Sequence, residues 1–150
     1  MRYNTKLIIL FLLCSHLASA QYDHGFGVGK ITHEELALKQ SGMDTSSYAR
    51  VLDEFGEAYI DNDGENNLLL EYHVKIKILS KQGLDLANFL IELRKGDRGK
   101  ESIRAIEAYT YNLVNNSIKQ TQMDKSQIFT TNANQYWDEC KFTLPAVQVG

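Results

Sequence analysis

The sequence predicts a mostly β fold, an antiparallel and sandwich-like module with one short helix near its start. Three observations carry this. Between Leu68 and Leu79, Leu70, Tyr72, Val74, Ile76 and Ile78 alternate with Glu71, His73, Lys75 and Lys77, and a long period-two run is the signature of a half-buried strand. Shorter strand-prone segments recur down the chain with turn residues between them, such as Asn115-Asn116 and the Gly96 to Gly99 stretch. Helical patterning is brief, so packed antiparallel strands are the expected architecture.

The elements follow in chain order. Arg2 and Lys6 precede an apolar run from Leu7 to Leu13, and the segment closes Ala18-Ser19-Ala20. This layout predicts a secretory signal peptide over residues 1–20, cut after Ala20 to leave Gln21 as the new N-terminus. The apolar run is shorter than the roughly 20 residues a spanning helix needs. Leu13 before Cys14 is also not the small residue that lipoprotein processing requires. No transmembrane segment is expected after the signal is removed. Residues 21–31 read as a flexible leader. Its Gly25, Gly27 and Gly29 resemble a phosphate loop only superficially, because no strand precedes them and no suitably placed helix follows. Residues 32–150 form the β-rich domain.

Thr32 is placed to cap a helix, with Glu35 closing a capping box; the helix is expected to end near Gly42. Val51-Leu52 and Ala58 to Ile60 are two short strand-prone pieces, followed by a turn at Asp61 to Gly64. The long strand after it has a polar face expected to be wet, which favours an antiparallel sheet. Lys81-Gln82-Gly83 ends that strand. Leu84 to Leu93 fits helix or strand, with a strand expected over its second half. Lys95 to Lys100 is a glycine-bearing loop. Ile103 to Tyr111 alternates and predicts another strand. Asn115-Asn116 is a hairpin turn, after which Ser117 to Lys119 returns. Ile128-Phe129 and Tyr136 to Leu144 are the last strands, and Pro145 stops the chain from continuing as one.

Charge and cysteines narrow the function. The full chain has 16 basic and 19 acidic residues, a net charge of −3, and losing Arg2 and Lys6 makes it more acidic. Nucleic-acid binding would need a basic face. Cys140 is alone once Cys14 leaves, so packing rather than a disulfide must hold the domain. Its place within a strand predicts a structural, buried cysteine rather than a nucleophile.

No catalytic, cofactor or metal group emerges. Asp61, Asp63, Gly64 and Asn66 suggest a calcium loop, but placing that glycine sixth puts Tyr59 first and Leu70 twelfth, where carboxylates are needed. A hairpin turn is the simpler reading. His24, His33 and His73 lack metal-ligand spacing, and His73 is expected to be solvated. Tyr136-Trp137 and the Tyr109, Tyr111 pair could line a sugar-binding face; core or cross-strand pairing is the commoner use of such aromatics.

Several segments together resemble a known family. They are Glu71 to Leu79 followed by Lys81-Gln82-Gly83-Leu84, Ala108 to Asn112, Lys125 to Phe129, and Trp137 leading to Lys141-Phe142-Thr143-Leu144-Pro145 and Val149-Gly150. The lead-in Thr32 to Leu36 and the stretch Val51 to Glu57 extend the likeness. In this order they resemble the exported bacterial domain of unknown function found N-terminal to transglutaminase-like domains. The resemblance implies a β-sandwich-like module in a longer periplasmic or cell-surface protein of a Gram-negative bacterium. In that family a papain-like Cys-His-Asp core follows, and none of its residues has a counterpart here. The family also continues past Gly150 into a further strand, so the chain is expected to be a fragment whose domain lacks its C-terminal part.

The expected function is therefore non-catalytic: positioning a C-terminal transglutaminase-like partner domain, or binding a cell-envelope ligand. Two alternatives stand beside it, a fragment of a thiol peptidase or transglutaminase-like enzyme whose catalytic domain lies beyond Gly150, and a carbohydrate-binding module.

Overall fold

The computed structural model describes residues 29–39, 46–61, 64, 67–97 and 99–150. The signal peptide with its cleavage residues Ala18, Ala20 and Gln21, most of the leader, and His24 lie outside the described residues. So do Asn62, Asp63 and Asn66 of the turn. The helix expected to end near Gly42 stops earlier, at Ala37, because Leu38 turns to extended backbone.

The fold is mostly β, with antiparallel sheets, one of them curled as a half-barrel, and, among the described residues, one short α-helix. Helix α1 spans His33–Ala37. Its capping box is complete: Thr32 Oγ1 accepts from the Glu35 amide at 3.1 Å, and Glu35 Oε2 accepts from the Thr32 amide at 2.6 Å. Two of the amides that a helix start leaves without partners are satisfied this way.

Strand β1 runs Ala49–Ile60 and pairs along its whole length with β2, Leu68–Ile78. The two strand-prone pieces expected in the first are thus one strand. Its polar middle, Asp53 to Glu57, is held by the ladder rather than by its own propensity. A bulge lies between Val51 and Asp53. Before it, Ala49 and Val51 face Ile78 and Ile76; after it, Gly56, Ala58 and Ile60 face Tyr72, Leu70 and Leu68. One extra residue has switched the parity of β1. The apolar face of β2 therefore continues onto β1 as far as the hairpin tip.

Burial along β2 departs from expectation. The face expected to be wet is covered at its C-terminal end: Lys77 is buried, Lys75 is half-buried, and His73 is half-buried with its ring 6.2 Å from that of Phe55. The opposite face opens to solvent at the other end, where Leu68, Leu70 and Tyr72 are exposed. On the Lys75 and Lys77 side, Glu35 of α1 bonds Lys75, while the Lys77 ammonium reaches the Leu36 carbonyl oxygen and lies beside Gly150.

A 3₁₀ helix, Lys81–Ala87, replaces the first half of the ambiguous segment, and β3, Asn88–Gly96, takes the second. Gly83 sits against the backbone of Tyr48, where a Cβ would collide with the carbonyl oxygen. That oxygen accepts from the amides of Leu79 at 2.9 Å and Ser80 at 3.1 Å. The expected loop is a tight hairpin to β4, Gly99–Lys100, with Gly99 at a φ of 146°.

The strand expected from Ile103 begins only at Tyr109. Residues 101–108 form an extended strap with no ladder of their own. Sporadic bonds hold it: Glu101 Oε2 accepts from the Arg94 amide at 2.8 Å, Arg104 pairs with Asp61, and the Ala108 carbonyl accepts from the Met123 amide at 2.9 Å. Alternation marks a segment able to form a strand, but a partner edge must also be present. Strands β5, Tyr109–Val114, and β6, Ser117–Gln122, form the expected hairpin. Its two turn residues, Asn115 and Asn116, have φ of 50° and 60°. These are the left-handed angles of a type I′ turn, whose twist suits a two-residue hairpin.

Strands β7, Phe129–Asn132, and β8, Trp137–Thr143, complete a four-stranded sheet in the order β4-β3-β8-β7. Leu93, Cys140 and Phe142 on its inner face are buried. The rings of Phe89 and Phe142, directly opposite in the ladder, stack with centroids 5.0 Å apart. After Thr143 the chain leaves the sheet: the Leu144 amide donates to Ala87 O at 2.9 Å, and the Gly150 amide reaches Ile78 O at 3.4 Å.

Candidate functional site

Three places carry chemistry beyond core packing. The first is the outer half of the β1–β2 hairpin. The cross-strand pairs Ile60–Leu68, Ala58–Leu70 and Gly56–Tyr72 make one continuous apolar face. Leu68 is 71% exposed, Leu70 75%, Tyr72 57% and Ile60 51%. Single exposed leucines are ordinary; a contiguous patch is not. The face ends at a polar contact, where the Tyr72 hydroxyl donates to Glu54 Oε1. That bond to a carboxylate raises the Tyr72 pKa, with partial burial and the Glu54 charge acting the same way.

The second place is a cavity of about 550 Å³ walled by α1, β2, β3, β5 and the segment 147–150. Ile76, Ile78, Leu36, Phe142, Leu144 and Val149 supply much of its apolar wall. Polar residues interrupt it, among them Lys30, His73, Glu107, Asn112 and Gln148, together with two bonded lysines. Lys75 Nζ donates to Glu35 Oε1 at 2.9 Å. Burial works to raise the Glu35 pKa, but the hydrogen bonds from Lys75 and Thr32 outweigh it, and the carboxyl lies below its ordinary value. Lys77 is 8% exposed, and its ammonium donates to the Leu36 carbonyl oxygen at 2.6 Å. Among the described residues no carboxylate pairs with it. Burial pushes its pKa down.

Strand β5 adds two hydroxyls, Thr110 Oγ1 and Tyr111 OH, which are buried and have no hydrogen-bond partner among the described residues. Alternation places them on opposite faces of the strand. Tyr111 OH lies beside Gly29, a wall residue of the cavity. Thr110 shares the face of Asn112, whose amide donates to Ala146 O at 2.8 Å. Burial raises the Tyr111 pKa, with a smaller contribution from Tyr109.

The third place is an ion cluster on the four-stranded sheet. Asp138 accepts from Lys95 at 2.8 Å and from Lys100 at 3.2 Å, and Lys95 also donates to Asn132 Oδ1 at 2.9 Å. The hydrogen bonds from Lys95 and then Lys100 lower the Asp138 pKa. Asp138 alternates with the buried Cys140 and Phe142, and an acidic residue on a core face is a signal the sequence held. Its partners were hidden, because Lys95 and Lys100 look like loop lysines until the β3–β4 hairpin places them opposite each other.

The candidates from the sequence separate. Cys140 is 1% exposed, a free thiol packed in the sheet. His33 opens α1, and His73 bonds Glu71 at 2.8 Å on the hairpin; His73 is half-buried rather than solvated. Asp61 pairs with Arg104, and Gly64 has a φ of 100°, as a turn requires. Tyr109 and Tyr111 have ring centroids 6.3 Å apart. Tyr136 is 61% exposed and Trp137 36%, so of the core or cross-strand uses expected for these aromatics neither residue takes the core one. Trp137 stands opposite Arg94 at the outer end of β8. Among the described residues no cluster of His, Cys, Asp and Glu could hold a metal ion, and no helix is long and apolar enough to cross a membrane.

No protein-family model matches this chain, and neither does any curated protein or solved structure.

Proposed function

We propose that the chain is a non-catalytic, exported β-rich module whose work is to hold a partner domain, with the outer face of the β1–β2 hairpin as the docking surface. The observation that carries this is the contiguous exposed patch of Ile60, Leu68, Leu70 and Tyr72. A two-stranded ribbon with one apolar face is marginal in water by itself. Burying that face against a folded domain would remove the exposed area from water at roughly 25 cal/mol per Å². The partner is a transglutaminase-like domain, following the resemblance of residues 32–150 to the module that precedes such domains. That resemblance rests on the quoted segments alone. Export rests on the Arg2, Lys6, Leu7 to Leu13 and Ala18-Ser19-Ala20 layout, and a periplasmic or cell-surface location follows from the resemblance.

The test is site-specific photocrosslinking from Leu70 in cells that produce the protein. The expected product is covalently joined to a polypeptide containing a transglutaminase-like domain, identified by mass spectrometry, and Leu70→Glu in the presence of a crosslinker at Tyr72 abolishes it. Products made only of this chain would assign the face to self-association and overturn the reading, as would the absence of any product.

A second reading, carbohydrate binding, is favoured by one observation, the exposed Tyr136 and Trp137 side by side at the start of β8. Exposed aromatic faces suit the apolar faces of sugar rings. Retention on immobilised cell-wall glycan that is lost in Trp137→Ala would support it; equal retention of that variant would remove it.

A further inference from the structure

We propose that Lys95 and Asn132 are the reactants of an intramolecular isopeptide bond, made by the chain on itself with Asp138 as the proton carrier. This goes beyond the docking reading and does not depend on it. The step happens once per chain, so the module still turns over no substrate.

Strand order brings the three groups to one place. Strand β8 lies between β3 and β7, and Asp138 stands opposite Leu93 on one side and Asn132 on the other. Lys95 follows Leu93 by two residues and shares its face. Its side chain crosses over β8: Nζ donates to Asp138 Oδ1 at 2.8 Å and to Asn132 Oδ1 at 2.9 Å. A C=O bond of about 1.23 Å puts the Asn132 Cγ carbon within about 4.1 Å of Nζ, close to the ~3–3.5 Å of a near-attack geometry. The backbone on both sides is pinned. Lys95 N donates to Tyr136 O at 2.7 Å, and Asn134 Oδ1 accepts from the amides of Tyr136 at 2.8 Å and Trp137 at 3.1 Å. Nucleophile, proton acceptor and carbonyl carbon are thus held together before any reaction.

Asp138 is 7% exposed, and desolvation disfavours the charged forms of a carboxylate and an ammonium alike. Lys100 lies on the other oxygen, Oδ2, at 3.2 Å and leaves Oδ1 to Lys95. Transfer of one Nζ proton to Oδ1 neutralises both groups. The neutral Lys95 amine then attacks Cγ and forms the Nζ–Cγ bond. Asp138 returns its proton to Nδ2 as the Cγ–Nδ2 bond breaks. The second Nζ proton leaves with the released ammonia, as ammonium, and no oxidant or cofactor is needed. Charge gives a further reason. Two ammoniums, Lys95 and Lys100, share one carboxylate. The link turns Lys95 into a neutral amide and leaves Asp138 and Lys100 as a matched pair. It also staples the four-residue edge strand β7 to β3 across β8, in a domain whose described cysteine, Cys140, is a free thiol.

Tryptic mapping by tandem mass spectrometry of the purified protein, produced from its full sequence, decides the matter. The parent should yield one branched peptide, residues 95–98 joined to residues 126–141, lighter by one ammonia than the two together and uncut after Lys95. Intact mass alone is not enough, because cyclisation of Gln21 at a new N-terminus also releases ammonia. Lys95→Arg and Asn132→Ala should each give unlinked peptides. So should Asp138→Ala, in which both reactants remain. Asn132→Ala should also melt roughly 10 °C lower, because the link ties together residues 37 apart in the chain. A parent protein cut after Lys95, with residues 126–141 recovered unlinked, would overturn the proposal and leave an ion cluster only. A link that persists in Asp138→Ala would overturn it as well. If Asp138→Ala does not fold, the parent map and Asn132→Ala, at an exposed edge position, decide it.

Discussion

Lys77 Nζ donates to the Leu36 carbonyl oxygen at 2.6 Å, so a strand residue from the polar side of an alternating run closes the end of a helix 41 residues earlier in the chain. That contact, with Gly150 beside the same ammonium, goes with the burial of Lys77 on the side of β2 that alternation marks as polar. It also makes Lys77 a charge that the fold tolerates rather than requires.

Replacing Lys77 with Met should therefore leave stability unchanged or raise it, because the desolvated charge is removed along with only one hydrogen bond to a carbonyl. The pH dependence is the sharper measurement. Burial holds the folded Lys77 pKa below its ordinary value. Between the two values the unfolded chain binds more protons than the folded one, so stability rises with pH through that window. Melting temperatures measured from neutral to alkaline pH should show this rise in the parent protein and lack it in Lys77→Met.

Asp138 acts with the opposite charge at the other end of the fold. Lys95 and Lys100 hold its folded pKa below the ordinary carboxylate value. Its contribution is present above the unfolded pKa and is lost as pH falls through the depressed folded value. Asp138→Asn should be less stable at neutral pH, where both lysines lose their counter-charge. It should also show a shallower loss of stability on acidification, read from denaturant midpoints across the acid range.

Cys140 should be chemically silent while the fold is intact. At 1% exposure its thiol is out of reach of alkylating reagents. Peptide mapping after iodoacetamide treatment should find the Cys140 peptide unlabelled in the native protein and labelled in denaturant. Cys140→Ser should cost about 1–3 kcal/mol, the penalty for a buried hydroxyl without a partner.

The β5–β6 turn offers a stabilising change. Asn116 has a φ of 60°, where a side chain is disfavoured and glycine is not. Asn-Gly is the preferred pair for a type I′ turn. Asn116→Gly should raise stability by about 0.5 kcal/mol or more, whereas Asn116→Val should lower it by at least about 1 kcal/mol. Thermal denaturation of the two variants checks both directions.

Much of the local structure is legible in the sequence. The capping box at Thr32 and Glu35, the long strand ending at Ile78, the Asn115-Asn116 turn and the strand halted before Pro145 each depend on neighbours within a few residues. Propensity, alternation and turn chemistry are encoded at that range. The reading failed where a partner decided the outcome. Ile103 to Ala108 alternates as a strand should, yet found no edge to pair with. Asp53 to Glu57 looks too polar for a strand, yet pairs throughout with β2.

The sequence by itself determined the β class, the helix cap, the hairpin turn and a lone Cys140 suited to a core. The tertiary structure decided which faces were buried. The bulge after Val51 reset the parity of β1, and α1 with Gly150 covered Lys75 and Lys77 while Leu68 and Leu70 stayed open to water. Period two says that a strand has two faces and which residues share each. Which face meets the core depends on where distant elements settle, because burial is a property of the assembled layers and not of any one strand.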